Sequence, residues 1–512
     1  MPFFESVLTL LLVAIASLQV SRRLNIPYPS MLALAGVAVA ALPWAPDIGI
    51  DPRLALALFI APALLDAAYD LPPRALGDNW RPLLALAAVA VLLTTAAVAW
   101  IGVTFAGLPV AAAIALGAIV APPDAAASSA MLSRFALPRR TVAVLKGESL
   151  LNDATALLVF SAAVAANGAT TTNTLLFTEL LLAAPGGLIL GYVLARLYIA
   201  VSSGLAGTLG GTLFEFVTVF GAWIIAEHVH VSAVLCVVAF AMTIATHIPE
   251  RQSPRDRIHS YAVWETSVFL LNVLAFLLMG LQAKAIISRL EPNGVWDAVW
   301  FASMVFVVVI SVRAAWVMLY NRVLWVWARQ SGVNAPTLAQ GVLVSWCGMR
   351  GLVTMAAALA LPTDFPGRDL IVLSALAVVL GTLILQGLTL GPLIRYLDFQ
   401  PDASFDESAA KVRVALIDAA VATLAGRDDE PARRLREIYQ EDREAAILGR
   451  HPRDANELDK LRRKTIAIKR SKLAELRRSG EIDDDVFHAI EQDLDFAELA
   501  ASPPDRLEMM EG

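Results

Sequence analysis

Only two cysteines, Cys236 and Cys347, occur in 512 residues, and both sit inside apolar stretches. No disulfide framework is indicated, so both read as small hydrophobic side chains. Charge is equally scarce. Asp, Glu, Lys and Arg make up 17% of the chain against 57% hydrophobic residues, at a mean hydropathy of +0.64. That excludes a soluble multidomain protein and implies a polytopic membrane protein. No basic region precedes the first apolar run, so a cleavable leader is not expected. The little charge present is unevenly placed. Of 40 Lys+Arg and 46 Asp+Glu, 19 and 26 fall from residue 401 onward, leaving 21 and 20 before it. The net charge of −6 therefore belongs to a hydrophilic tail behind a nearly neutral membrane part.

Residues 3–21, 30–46, 53–70, 82–105, 110–133, 139–166, 175–200, 208–228, 231–247, 262–284, 296–327, 337–361 and 369–396 are apolar over roughly the 20 residues a membrane crossing needs, about thirteen spans. Alternate loops carry Arg22 and Arg23, Arg74 and Arg81, Arg134, Arg139 and Arg140, Arg196, Arg251, Arg255 and Arg257, and Arg322 and Arg329: 13 basic residues. The opposite loops carry Arg53, Lys284, Arg289 and Arg368, only 4. The positive-inside rule then places the N-terminus outside and the tail in the cytoplasm. The predicted organisation is a transmembrane domain over 1–397 and a cytoplasmic helical tail over 398–512.

Ionisable groups at membrane depth cost several kcal/mol each, so each needs a partner or a task. The segment Lys146-Gly147-Glu148-Ser149-Leu150-Leu151-Asn152-Asp153 holds two carboxylates, followed only by hydrocarbon-compatible residues. At helical spacing Glu148 and Asn152 share one face, while Ser149 and Asp153 share the adjacent face. A hydroxyl beside a carboxylate makes half a shell for a small hard cation.

Two spans carry breaks. In Ile119-Val120-Ala121-Pro122-Pro123-Asp124, consecutive prolines remove two donors and orphan the carbonyls of Ala118 and Ile119. Lipid does not tolerate such groups, but a protein-lined cavity does. Asp124 lies where it neutralises the positive end of a half-helix starting near Pro123; it is a candidate cation/proton-binding residue, although capping alone also accounts for it without ion contact. The second break, Cys347-Gly348-Met349-Arg350-Gly351, flanks an intramembrane arginine with glycines. It falls seven spans later, so the two interruptions run in opposite directions. Antiparallel broken helices meeting at the midplane characterise inverted-repeat secondary transporters.

These motifs resemble those of the monovalent cation:proton antiporters, particularly the bacterial sodium/proton exchanger branch. The likeness spans the membrane part in order: Pro122-Pro123-Asp124; Gly147 to Asp153; Trp264-Glu265 with Leu271-Asn272 and Leu278-Met279-Gly280-Leu281-Gln282; Gly348-Met349-Arg350-Gly351 with Leu359-Ala360-Leu361-Pro362; and Leu385-Gln386-Gly387-Leu388-Thr389. The resemblance implies an all-α fold of about thirteen transmembrane helices with inverted repeats and two crossed, interrupted helices. It implies that Asp153 alternately binds cation and proton, that Ser149 is a neighbouring ligand, and that Asn152 is the amide of the electroneutral exchangers. Asp66, in Leu64-Leu65-Asp66-Ala67, stands where relatives place an acid that joins the ion site. Glu148 and Arg350 match a buried structural ion pair. Two departures stand out. Pro123 replaces a threonine common in relatives, removing a hydroxyl ligand, and Lys146 stands where acids are common.

Physical chemistry reaches the same exchange on its own terms. Desolvation favours the protonated form of a carboxylate such as Asp153 and a bound cation favours the charged form, so each excludes the other. If crossing requires neutralisation by one or the other, exchange is obligatory and nearly one for one. The expected activity is sodium/proton antiport, with lithium accompanying sodium and potassium as the alternative cation. It is transport and not enzymatic catalysis, with no cofactor beyond the transported sodium ion and proton. Expected partners are the lipid bilayer and, as the resemblance implies, a second copy in a homodimer; no nucleic acid is expected. A bacterial-type plasma membrane is the expected location.

Other residues support alternatives. Arg313 either snorkels to an interface or lines the pathway. Asn272 and Glu265 read equally as packing and interfacial groups, and His228 and His230 as solvated external side chains. An intramembrane aspartyl protease needs a Gly-x-Gly-Asp type segment, which neither Asp124 nor Asp153 has. A channel needs a continuous lined pore, whereas opposed broken helices favour one occluded site. In the tail, Val412 to Leu424, Pro431 to Leu448 and Asn456 to Ala500 read as helical, with a stop and a new capped start at Ser479 to Asp485. The basic run from Arg462 to Arg470 suits either anionic headgroups or acids of its own tail.

Overall fold

The computed structural model describes residues 2–24, 26–43, 54, 56–69, 71, 73–124, 128, 132, 135, 137–168, 174–205, 208–248, 252–288, 295–331, 336–399, 404–448, 457–479, 481 and 483–502. Among them the secondary structure is entirely helical. The chain divides into a unit of residues 1–400 and another of 401–511.

The first unit comprises α1 (Pro2–Leu24), α2 (Tyr28–Ala40), α3 (Leu56–Tyr69), α4 (Trp80–Ala106), α5 (Val110–Val120), α6 (Arg139–Gly168), α7 (Thr174–Ser202), α8 (Leu209–His228), α9 (Ala233–His247), α10 (Pro254–Ser288), α11 (Val295–Ser331), α12 (Leu338–Trp346), α13 (Leu352–Leu359) and α14 (Arg368–Leu397). Eight helices among the described residues are long and apolar enough to cross a membrane, and shorter apolar helices accompany them. Most expected spans are single helices. The stretch 337–361 is instead α12 and α13 separated by an unwound segment at 347–351. The stretch 110–133 is helical only as far as Val120 and then opens at the two prolines. The half-helix expected to start near Pro123 lies largely outside the described residues.

Small residues allow the closest approaches. A side chain at Gly36 of α2 would come within 2.9 Å of the Gly280 Cα of α10, so these helices meet backbone to backbone. Gly191 of α7 stands in the same relation to Cys236 of α9, where a Cβ would lie 2.9 Å from the carbonyl carbon. Such contacts suit membrane helices, which gain from van der Waals packing and not from hydrophobic exclusion. α3 and α4 each contain a π-helical stretch, Leu56–Ile60 and Ala85–Ala90. A π-turn disturbs the regular backbone ladder. At the second stretch the Ala85 carbonyl accepts a hydrogen bond from Trp316 Nε1 of α11 at 2.8 Å.

Glu215, in the apolar α8, shows how protein donors alone can surround a carboxylate here. Its carboxylate accepts hydrogen bonds from Ser260 Oγ at 2.6 Å, Trp264 Nε1 at 2.8 Å, Tyr198 Oη at 3.2 Å and Gln252 Nε2 at 3.4 Å. Four donors can fill the lone-pair positions of one carboxylate, so Glu215 ties α7, α8 and α10 together and presents no open cation site.

The second unit contains α15 (Ser404–Thr423), α16 (Glu430–Ile447), α17 (Glu457–Ser479) and α18 (Asp484–Ala501). Arg443 of α16 reaches Asp418 of α15 at 2.7 Å. Between α17 and α18, Ile466, Leu473 and Leu494 form a small core. Arg470 bonds Asp495 and Glu498 at 2.5 and 2.8 Å, and Arg463 donates to the Ala501 carbonyl at 3.0 Å. Arg463 and Arg470 of the basic stretch thus find partners within their own hairpin.

Candidate ion-binding site

The two breaks meet and satisfy each other. The Asp124 amide donates to the Met349 carbonyl at 2.7 Å, and the Leu352 amide, first in α13, donates to Asp124 Oδ2 at 3.1 Å. In return Arg350 donates from Nε to the Val120 carbonyl at 3.1 Å and from Nη2 to the Ala121 carbonyl at 3.2 Å. A third bond runs from its Nη1 to the Gly348 carbonyl. An anion therefore faces the positive N-terminus of α13 and a cation faces the negative C-terminus of α5, the favourable arrangement at both ends. The Arg350 amide is itself anchored on Thr382 Oγ1 of α14 at 3.0 Å.

Glycine makes the crossing possible. A Cβ on Gly348 would lie 2.6 Å from Arg313 Nε and 2.9 Å from Arg350 Nη1, and one on Gly351 would fall on the Asp124 carboxylate. Any side chain there would push these charged groups off their carbonyls and amide.

The buried ion pair differs from the expected one. Glu148 binds Arg313 of α11, not Arg350, with Nη1 to Oε1 at 2.5 Å and Nη2 to Oε2 at 3.0 Å. Arg313 also caps the last turn of α12 through Nη2 to the Val344 carbonyl at 3.0 Å. The physical reason is local. Arg350 lies in the unwound segment, where unpaired carbonyls of α5 surround its guanidinium, whereas Glu148 on α6 faces α11. Arg313 is buried and does not snorkel. Its isolation in Val308 to Trp316 was the available signal, and burial was the missing fact.

Asp124 caps α13 of the opposite broken segment, and the half-helix it is expected to neutralise lies largely outside the described residues. The carbonyls at the first break whose partners are visible lie further along than Ala118 and Ile119: Val120 and Ala121 on Arg350, and Pro123 on Asn152 Nδ2 at 3.0 Å. Asn152 is fully buried, and its Oδ1 has no hydrogen-bond partner.

Beside this frame Asp153 is buried, 6% exposed, within electrostatic reach of Asp124. Among the described residues none gives its carboxylate a hydrogen bond or an ion pair. Ser149, one turn earlier on the same face of α6, is half-buried. The structure therefore brings Asp153, Asn152, Asp124, Glu148 and Arg350 to one crossing and adds Arg313. Asp66 lies on α3 with an exposed side chain, unlike the buried Asp153. Glu265, His228 and His230 are exposed, whereas Asn272 is buried.

The formal charges at the crossing decide what it can hold. Arg313 and Arg350 contribute two positive charges, and Glu148, Asp124 and Asp153 three negative ones. Glu148 is matched by Arg313, and Arg350 and Asp124 are spent on helix ends. One negative charge remains on Asp153, a deficit that one proton or one monovalent cation fills.

Comparison with known proteins gives the family and the fold. Residues 7–396 match the family model described as "Sodium/hydrogen exchanger, transmembrane". The chain is 31% identical over 444 residues to a protein of Bacillus pumilus named "Sodium, potassium, lithium and rubidium/H(+) antiporter", covering 83% of this chain and 66% of that one. It is 27% identical over 417 residues to the Na(+)/H(+) antiporter NhaH of Halobacillus dabanensis, covering 77% of this chain and 98% of that protein. The fold is similar to that of the sodium proton antiporter MjNhaP1 from Methanocaldococcus jannaschii, with a TM-score of 0.59 at 16% identity over 78% of this chain and 100% of that one. An all-helical membrane unit, two interrupted helices crossing beside a buried aspartate, and a family match over most of its length together show that this chain belongs to the sodium/hydrogen exchanger family.

Proposed function

We propose that the protein exchanges sodium, and lithium with it, for protons across the plasma membrane by competition at Asp153. The observation that carries this reading is the single uncompensated carboxylate at the crossing, buried and without a partner among the described residues. Leaving it charged in a low-dielectric site is costly, so it moves between the two sides only when a proton or a monovalent cation occupies it. One charge for one charge makes the exchange electroneutral. Asn152 contributes a dipole and a bond to Pro123 where a second carboxylate would carry an extra proton. Ser149 supplies a hydroxyl ligand, Asp124 fixes the crossing, and Asp66 joins the site as it forms. The positive-inside pattern sets the N-terminus outside and the tail from about residue 398 in the cytoplasm, and the working unit is a homodimer.

Potassium/proton exchange is the second reading, favoured by the relative whose name includes potassium and rubidium. Both are tested in proteoliposomes with a pH-reporting dye while sodium, lithium and potassium are titrated in turn. Sodium and lithium are expected to move protons at lower concentrations than potassium, with turnover unchanged by an imposed voltage. A response to potassium at the lowest concentration would replace the first reading by the second, and steep voltage dependence would count against one-for-one exchange.

A further inference from the structure

Away from Asp153, two more buried amides lack partners. Oδ1 of Asn272 on α10 and both Oε1 and Nε2 of Gln386 on α14 have no hydrogen bond, although Asn272 is only 6% exposed and Gln386 is 0% exposed. The first turn of α2 touches the turns of α10 and α14 next to both. Ser30 of α2 donates to the Leu383 carbonyl at 2.7 Å, and a Cβ on Gly387 would lie 2.6 Å from Ser30 Oγ, so these contacts bracket Gln386 within one turn. The Tyr28 ring, two residues before Ser30, packs 5.5 Å from that of Phe269, one turn before Asn272. α10 and α14 also pack directly on each other.

Buried polar groups are almost always paired, and an unpaired one calls for a ligand. Here the unmet groups are two acceptors and one donor. A cation satisfies both carbonyl oxygens but leaves Nε2 with its positive hydrogens towards a positive charge. Water donates to the oxygens and accepts from Nε2, so it satisfies all three. We propose that Asn272 and Gln386 hold an ordered water between α2, α10 and α14, and that this water lies on the seam along which the crossing moves. α14 is coupled to the crossing because Thr382, one turn before Gln386, accepts from the Arg350 amide. α2 and α10 are held together by Gly36 and Gly280. Close-packed side chains shift only between discrete arrangements, whereas a water can exchange its partners as two surfaces slide. Gln386 is then a positioning residue that governs the rate of the switch without touching the ion. This second part rests on the antiport reading, and the water site does not.

X-ray radiolytic hydroxyl labelling read by mass spectrometry tests the site, because a buried ring is modified quickly only beside a bound water. Phe276, fully buried one turn after Asn272, is expected to be labelled in the full-length protein and to lose about ten-fold of that rate in Gln386→Leu. In proteoliposomes the same variant is expected to lower maximal exchange by about ten-fold with the half-saturating cation concentration unchanged within about two-fold, and its melting temperature is not expected to fall. Gln386→Met gives the same readouts should the leucine variant fail to insert. Equal labelling of Phe276 in wild type and variant overturns the water site. Unchanged turnover, or a shifted cation affinity, overturns the role on the seam. Wild-type protein that shows the label but no cation-driven proton flux overturns the antiport reading and leaves the water standing.

Discussion

Asp153→Asn is expected to lower cation-driven proton movement by at least about a hundred-fold while leaving membrane insertion and melting temperature intact. Asparagine has the same shape but neither releases a proton at any accessible pH nor offers a full negative charge to a cation. The variant therefore removes both alternative occupants at once. Structural damage is not expected, because no described residue hydrogen-bonds to the Asp153 carboxylate. Placing a neutral amide in a buried position is easier than placing a charge there. Dye-reported proton flux, together with thermal unfolding in detergent, checks both halves. Residual sodium-dependent flux near the wild-type rate would remove Asp153 from the mechanism. Lost flux with a collapsed melting temperature would make it a folding residue.

Arg313→Met is expected to carry the largest stability cost, about 3–5 kcal/mol, because it strands Glu148 as an unpaired charge in the bundle. The same change uncaps Val344 at the end of α12. Adding Glu148→Gln should restore much of the loss, since a neutral side chain no longer needs the guanidinium, and a double-mutant cycle from unfolding in detergent measures the coupling. Arg350→Met provides the contrast. It leaves the Glu148 pair in place and exposes the Val120 and Ala121 carbonyls instead, so Glu148→Gln should not rescue it. If Glu148→Gln rescued Arg350→Met and not Arg313→Met, the pairing described here would be wrong.

Much of the architecture was legible in the residues. Apolar stretches of spanning length marked most helices, and Pro122-Pro123 and Gly348-Met349-Arg350-Gly351 marked both breaks, because missing donors and close approaches admit few residue types. Helical spacing put Asp153 on the face of Ser149 and Asn152 on the adjacent face with Glu148. Partner choice was not legible. Arg313 and Arg350 are both lone intramembrane arginines, and only the geometry shows that one meets a carboxylate and the other a set of carbonyls. Asp124 likewise neutralises a helix end, as its place after two prolines suggested, but the end belongs to a helix more than 200 residues away. Sequence spacing carries no information about which of two crossing chains supplies a cap. Glu215 was missed despite a usable signal, a single acid in Leu213-Phe214-Glu215-Phe216-Val217. Its four donors come from Tyr198, Gln252, Ser260 and Trp264, ordinary residues that nothing in the sequence singles out.

The most direct test of competition at one carboxylate is the sodium dependence of exchange by the wild-type protein over a series of pH values in proteoliposomes. Shared occupancy predicts that, on the acid side, the half-saturating sodium concentration rises by about ten-fold per pH unit as the pH falls, with the maximal rate preserved at saturating sodium. A half-saturating concentration that stays constant while the maximal rate falls would show proton and sodium acting at separate sites and would contradict the account.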